Sequence, residues 1–448
     1  MIPERYRQGE IAVVGLGKSG MAATKLLASA GASVYGSDNA KGPTHDLDRI
    51  ARASLVVASP GVPPDAPPLE RARDAGISIV SEIEVALWFL PATTRYIAIT
   101  GTNGKTTTTA LVGHLLRGLG HDAPDAGNIG TPLAEVALAS PPPAWLSLEL
   151  SSFQLHDTPS IDPAVGVLTN LSPDHLDRYT SVKEYYDDKA LLFANASATS
   201  RWVLNADDPE VRVLELPERD GERPPLLVGR RWEFSLRSAH ADATYDRDAQ
   251  MLVVLGQPLL ARRELQLLGD HNIANALAAS LAVMVADEDH ATARSRQRIG
   301  EALRSFRALE HRLELVGEYG GVQWINDSKA TNVSSTLVAV QGMTRPAIVL
   351  LGGRHKGEPY TSLAPALQKV ARMVIAYGES ARVIEQDLGA LVPLERLGSS
   401  FEEVIARARA LAQPGDAVLL SPACSSYDMF ANYVERGATF RRLAKGEA

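Results

Sequence analysis

The chain has a single cysteine, Cys424, among its 448 residues. One cysteine cannot pair within the chain, which excludes a disulfide scaffold and fits a reducing compartment. No run reaches the roughly 18 consecutive apolar residues that suggest a membrane helix. No block of basic residues stands out, and 45 basic against 53 acidic residues leave a net charge of −8. Nucleic acid is therefore not an expected partner. The stretch Met1 to Glu10 is polar and charged and lacks the apolar middle of a signal peptide. These absences point to the cytoplasm. Aromatics are few, at 6%, but 45% apolar and 22% charged residues are the balance expected of a soluble globular chain. The length suits about two to four domains.

What is present is an alternation of short β-rich runs with helical runs, the pattern of parallel sheets covered by helices. The expected fold class is α/β in three domains. Residues 1–92 read as a Rossmann-like unit, 93–309 as a central mononucleotide-binding unit with a phosphate loop, and 310–448 as a second Rossmann-like unit. Leu90 to Thr94 reads as a linker. Residues 230–268 read as an insertion of antiparallel strands, and Asn272 to Ala286 as a helix with Ala, Leu and Val on one side.

Gly15-Leu16-Gly17-Lys18-Ser19-Gly20 is a G-x-G-x-x-G between a strand and a helix, and Asp38 follows 23 residues after the first glycine. Such a turn lets backbone amides approach a pyrophosphate while the carboxylate takes a ribose hydroxyl. The unit is short for an NAD domain. A UDP group, or no cofactor at all, suits the same turn.

Thr100-Gly101-Thr102-Asn103-Gly104-Lys105-Thr106-Thr107 is the stronger signal. It is a variant phosphate loop, with Ile99 where the generic pattern has its first glycine. Its amides hold phosphate oxygens, Lys105 reaches the β/γ groups and Thr106 can ligate Mg²⁺. Glu149, at the end of a strand and flanked by leucines, is a candidate metal carboxylate; a solvated strand end is the alternative. His175, in Asp174-His175-Leu176-Asp177-Arg178-Tyr179, is a candidate metal ligand or a solvated turn histidine. Lys189 on the next helix would ordinarily face solvent. In the third unit, Asn326 to Asn332, Gly352 to Gly357 and Ser421 to Asp428 each follow a strand. Three strand ends rich in Lys, Ser, Thr and Asp describe a site for an anionic ligand. Cys424 has no histidine nearby in sequence and reads as a small buried residue rather than a nucleophile.

These motifs, in this order, resemble the ATP-dependent Mur ligases of peptidoglycan synthesis. Asn128-Ile129-Gly130, Glu149 to Leu155, Asp174 to Tyr179, His271-Asn272, His311-Arg312 and Asn326 to Asn332 match further blocks of that family. The resemblance spans nearly the whole chain. The Asp-Asn-Pro-Arg motif of the diaminopimelate- or lysine-adding branch is absent. Folylpolyglutamate synthases share the ATP loop but lack a Rossmann-like domain before it.

The resemblance implies an ATP-dependent ligase that adds D-glutamate to UDP-N-acetylmuramoyl-L-alanine through an acyl phosphate, acting as a monomer. It implies that Lys18, Ser19, Asp38, Gly61, Asn128, Ser151, Gln154 and His175 hold the UDP-substrate. It assigns ATP to Gly101, Thr102, Asn103, Gly104, Lys105, Thr106, Thr107, Asn272, Asn275, Arg312 and Asp327. Thr106 and Glu149 would bind one Mg²⁺, and His175 with a carbamylated Lys189 a second. Lys105, Glu149, His175 and Lys189 would carry catalysis. Lys329, Thr331, Lys356, Ser426 and Tyr433 would hold the incoming amino acid. Arg354-His355 before Lys356, and Tyr433 itself, depart from many relatives, so L-glutamate or another amino acid remains the alternative acceptor. A nicotinamide oxidoreductase would explain Gly15 to Gly20 but leave the phosphate loop idle, and a plain ATPase or kinase would leave the third unit idle.

Overall fold

A computed structural model of the chain describes residues 1–39, 42, 44–174, 178–214 and 228–446. It is mixed α/β, with three parallel-rich sheets. The first has four strands, β1 (Glu10–Val14), β2 (Ser33–Ser37), β3 (Leu55–Ala58) and β4 (Ile79–Ser81), all parallel in the order β2-β1-β3-β4. Its central strands β1 and β3 are nearly continuous apolar runs because both faces of the sheet are covered. The helix Lys18–Ser29 shows how the sequence builds this layer. Gly17 caps it, and Gly20, Ala22, Ala23, Leu26 and Leu27 form its buried face. Burying each leucine contributes roughly 2 kcal/mol.

The second sheet contains β5 (Arg95–Thr100), β6 (Asp125–Gly127), β7 (Trp145–Glu149), β8 (Val165–Leu168), β9 (Arg201–Asn205), β10 (Arg230–Ser235), β11 (Ala243–Asp246), β12 (Met251–Val254) and β13 (Gln257–Ala261). Its order is β13-β12-β11-β10-β9-β8-β5-β7-β6. The expected antiparallel insertion is corrected here. β10 joins β9 in parallel and β11 joins β10 in parallel, so the sheet simply continues, and only the β11–β12 and β12–β13 pairs are antiparallel. A hairpin joins antiparallel strands, so a parallel neighbour needs a crossover connection instead. The helix expected from Asn272 starts at Asp270. Its apolar residues do not keep to one side: Ala276 to Met284 are all buried, Ser280 included. A helix apolar all round is an interior helix.

The third sheet holds β14 (Glu314–Tyr319), β15 (Val322–Asn326), β16 (Ala347–Gly352), β17 (Ala371–Tyr377), β18 (Leu394–Arg396) and β19 (Ala417–Leu420), in the order β14-β15-β19-β16-β17-β18. Only β14 is antiparallel to its neighbour.

The chain forms two compact units. One comprises Met1–Leu265 and Ile273–Phe306, and the other Gln266–Asn272 and Arg307–Ala448. The first two sheets therefore share a unit. Their joint is polar as well as apolar. Ser81 Oγ meets Thr158 Oγ1 at 2.7 Å, the Ala134 amide donates to Glu82, and the Ser160 amide donates to Glu84 Oε2 at 3.0 Å. Among the described residues no helix is long and apolar enough to cross a membrane.

Candidate nucleotide and amino-acid sites

β5 ends at Thr100, and the loop that follows turns on two glycines in left-handed backbone, Gly101 (φ 140°) and Gly104 (φ 81°). A Cβ at Gly104 would lie 2.5 Å from Asn275 Oδ1, so only glycine fits there. The helix Lys105–Leu119 begins at once, with Thr106 and Thr107 buried in its first turn. Its amino end offers backbone N–H groups and the positive end of the helix dipole, the elements of a phosphate cradle.

Asn170 braces this loop. Its Oδ1 accepts from the Asn103 amide at 2.8 Å, and its Nδ2 donates to Asn103 O at 2.8 Å. Thr102 N donates to Asn170 O at 2.9 Å. Nothing in the local sequence marks this residue, because its partners lie 67 residues away. Asn275 accepts from Thr108 Oγ1 at 3.3 Å, while Asn272 donates to Leu268 O at 2.8 Å.

Lys105 Nζ donates to Gly101 O at 2.8 Å and Thr102 O at 2.7 Å. Lys189 Nζ donates to the same Gly101 carbonyl at 2.8 Å. The solvent-facing alternative for Lys189 is thereby overturned, since the residue is 1% exposed beneath the loop. Its helix is Val182–Ala190, and Leu191–Phe193 continues it as a tighter 3₁₀ turn. Burial, and then the charge of Lys105, push the Lys189 ammonium well below the usual lysine range. The neutral amine is favoured at this position.

Glu149 ends β7 and is also 1% exposed, so it is no solvated strand end. One carboxylate oxygen accepts from Asn128 Nδ2 at 2.9 Å. The other, Oε2, is buried with no hydrogen-bond partner. A buried carboxylate oxygen left this way is costly unless a cation meets it. Thr106 and Glu149 therefore fit a Mg²⁺, which binds through one or two carboxylates plus substrate phosphates and waters. Just beyond, Ser151 and Gln154 form a capping box on the helix Ser152–His156. Gln154 Nε2 is a second buried group with no partner. His175 lies outside the described residues, as do Leu176 and Asp177.

In the first sheet, the glycine turn is held from two sides. The Leu16 amide donates to Asp38 Oδ2 at 2.6 Å, and Ser59 Oγ donates to Gly15 O at 2.6 Å. A Cβ at Gly20 would overlap Gly15 O, which explains the third glycine as close helix–turn packing. Asp38 thus braces the turn as well as facing it. Lys18 and Gly61 are exposed and Ser19 is half-buried. The part played by the Ser59 hydroxyl depends on the parallel pairing of β1 with β3, which brings the end of β3 beside the turn.

The second compact unit has its own cluster at the carboxyl ends of β15, β16 and β19. Asp327 accepts from Ser421 Oγ at 2.9 Å and from the Leu313 amide at 3.2 Å, and burial raises its carboxyl to about 7. Lys356 Nζ donates to Thr331 Oγ1 at 3.4 Å. Lys329 Nζ lies 5.6 Å from the centre of the Tyr433 ring, and Ser426 is buried nearby in the loop after β19. Arg312, on the approach to β14, contributes its charge to Asp327. His355, one of the unusual residues, meets Tyr360 Oη at 2.9 Å, and Tyr360 in turn meets Cys424 Sγ at 3.0 Å. It therefore props the loop from behind. Cys424 is buried, as expected of a small packing residue. The sequence reading missed Arg436, which is treated below.

The parallel sheets and the glycine loop at a helix amino end, with a lysine, a threonine and a buried carboxylate beside it, define a phosphate-loop nucleoside-triphosphate enzyme. Comparison narrows the class. Residues 99–283 match the Mur ligase middle domain, and residues 311–424 match the glutamate ligase domain of Mur ligases. A UDP-N-acetylmuramoylalanine–D-glutamate ligase of Salinibacter ruber is 38% identical, with 99% of each chain covered. One of Anaeromyxobacter dehalogenans is 40% identical, with 98% of each covered. Among solved structures, UDP-N-acetylmuramate–alanine ligase of Thermotoga maritima superposes with a TM-score of 0.60 at 20% identity, covering 98% of this chain and 100% of that one. MurF ligase of the same organism, in complex with ADP, gives 0.61 at 16%, covering 99% and 96%. These two likenesses show the fold. The chain belongs to the Mur ligase family.

Proposed function

We propose that the chain is an ATP-dependent ligase that joins D-glutamate to UDP-N-acetylmuramoyl-L-alanine in cytoplasmic peptidoglycan precursor synthesis, releasing ADP and phosphate. The observation that carries this reading is the end-to-end likeness to relatives bearing that name, at 38–40% identity. The site geometry supports it. In this reading the chain has three working segments, 1–92 for the UDP-substrate, 93–309 for ATP and 310–448 for the amino acid, and acts as a monomer away from membrane and nucleic acid.

ATP donates its terminal phosphoryl group to the substrate carboxylate. The acyl phosphate so formed is attacked by the amine of glutamate; the new C–N bond expels phosphate, and the amine gives up a proton. The amides of Gly101 to Thr107 hold the phosphates, and Lys105 leaves the Gly101 and Thr102 carbonyls to meet the transferring group. Asn272, Asn275, Arg312 and Asp327 complete the ATP contacts. Lys18, Ser19, Asp38 and Gly61 hold the UDP end, and Asn128, Ser151, Gln154 and His175 the muramoyl end.

Thr106 and Glu149 hold one Mg²⁺, and His175 with Lys189 a second. Bound Mg²⁺ offsets negative charge on the phosphates. An ammonium cannot ligate a cation, but the buried neutral amine of Lys189 can add to carbon dioxide. It loses a proton in doing so and becomes a carbamate with two ligating oxygens. Lys329 and Lys356 are charged anchors for the two glutamate carboxylates, assisted by Thr331, Ser426 and Tyr433. Phosphate release that requires both the UDP-sugar and D-glutamate is the deciding experiment. Release with ATP alone, or with neither acceptor, sinks the reading.

A further inference from the structure

Arg436 lies on the helix Tyr433–Ala444 and is 1% exposed. Among the described residues no carboxylate stands within ion-pair distance of it. Its guanidinium is instead spread over backbone oxygens and one hydroxyl. Nη2 donates to Ser328 O at 2.8 Å and Cys424 O at 3.2 Å, and Nε donates to Ser328 Oγ at 3.0 Å. Nη1 donates to Cys424 O at 3.2 Å, Gly352 O at 3.4 Å and Ser425 O at 3.5 Å. Ser328 follows β15, Gly352 ends β16, and Cys424 and Ser425 follow β19. One side chain therefore ties together the three strand-end loops of this unit. Ser328 Oγ passes the connection on to Tyr433 O at 2.8 Å.

A buried cation with no anion is costly, and an apolar side chain would serve mere packing better. Two things follow from its being an arginine. The rigid planar fork spans several carbonyls at once, which a lysine's single ammonium does not do. Its charge is spread mainly over backbone dipoles, and the one carboxylate it also acts on, Asp327, is itself raised to about 7 by burial, so a positive potential remains beneath the loops that carry Lys329, Lys356 and Ser426.

We infer that Arg436 is a positioning residue for the dicarboxylate amino acid: it sets the spacing of the three loops and adds positive potential under the pocket without touching the ligand. This rests on the amino-acid site assigned under the proposed function.

The test uses the full chain with Arg436→Met, Arg436→Lys and Ser328→Ala, measuring KM for each of the three substrates alongside thermal unfolding. Arg436→Met is expected to raise KM for D-glutamate by about tenfold or more, with KM for ATP and the UDP-substrate within about twofold. Arg436→Lys, which keeps the charge and loses the fork, should recover only part of this; a further variant, Arg436→Ala, should show the same rise in glutamate KM, and added guanidinium ion should lower it. Ser328→Ala should raise the glutamate KM alone, by a smaller factor; this variant decides the matter if the Arg436 variants do not fold. An unchanged glutamate KM in a folded Arg436 variant or in Ser328→Ala overturns the inference, as does an equal rise in all three KM values. Wild-type activity that ignores glutamate overturns the underlying site and this inference with it, whereas glutamate-dependent wild type with unmoved variants overturns the inference alone.

Discussion

Lys105 and Lys189 donate to one carbonyl, that of Gly101, yet they differ in burial, and the proposed function gives them different tasks. Lys105 is half-buried at the mouth of the helix and can swing to a phosphate. Lys105→Ala should leave thermal unfolding unchanged while turnover falls by roughly 10²–10³-fold, the scale for a group that stabilises transition-state charge. Near-wild-type turnover would remove the loop from catalysis. Lys189 is sealed beneath the loop, and burial followed by the Lys105 charge favours its neutral form. Lys189→Ala should lose activity and regain part of it when a small carboxylate is added, because the carboxylate replaces the two oxygens of the carbamate. Mass spectrometry under carbon dioxide should find the added group on Lys189 in the wild type. An active alanine variant would leave the cations to Glu149 and His175.

At the scale of elements, the joint between β4 and the central sheet contains a group that the chemistry does not use. Glu82 opens the helix Glu82–Leu87, is 1% exposed, and accepts from the Ala134 amide while its Oε2 has no partner. Burial raises its carboxyl to about 7 from 4.5. Below 4.5 the group is protonated in folded and unfolded chains alike and costs nothing. Between 4.5 and 7 only the unfolded chain releases the proton, so stability falls as pH rises, by roughly 3 kcal/mol in all. Glu82→Gln should therefore be more stable than wild type in denaturant unfolding at pH 8, and the difference should vanish near pH 4. A difference independent of pH would show that the carboxyl titrates in the fold as it does in the unfolded chain.

For the molecule as a whole, the outcome that matters is which amino acid is accepted. Lys329 and Lys356 stand on loops after different strands, and Arg436 holds those loops in register. On the proposed reading these lysines are two anchors for two carboxylates, which leaves one place for the amine. D-glutamate should therefore be preferred over L-glutamate by orders of magnitude in ligation rate, because the L form either gives up an anchor or misaims its nitrogen. Equal rates, or a preference for the L form, would show that His355 and Tyr433 have changed the pocket.

The phosphate loop, the glycine turn and the alternation of strands with helices were legible in the chain because their causes are local. Glycines adopt backbone that other residues avoid, a lysine and a threonine stand at the start of a helix, and apolar runs mark buried strands. The continuation of the second sheet through β10 and β11 was not legible, since strand direction depends on where a connection returns and not on the strand's own residues. The same holds for the side chains that most affect the chemistry. A helical lysine such as Lys189 looks solvent-facing until a loop 88 residues away closes over it. Glu149 looks like a strand end until packing leaves one of its oxygens without a partner. Arg436 looks like one more surface charge until it reaches Ser328, 108 residues away. Burial and partnership come from whatever packs against a residue, and those neighbours are set by the fold as a whole.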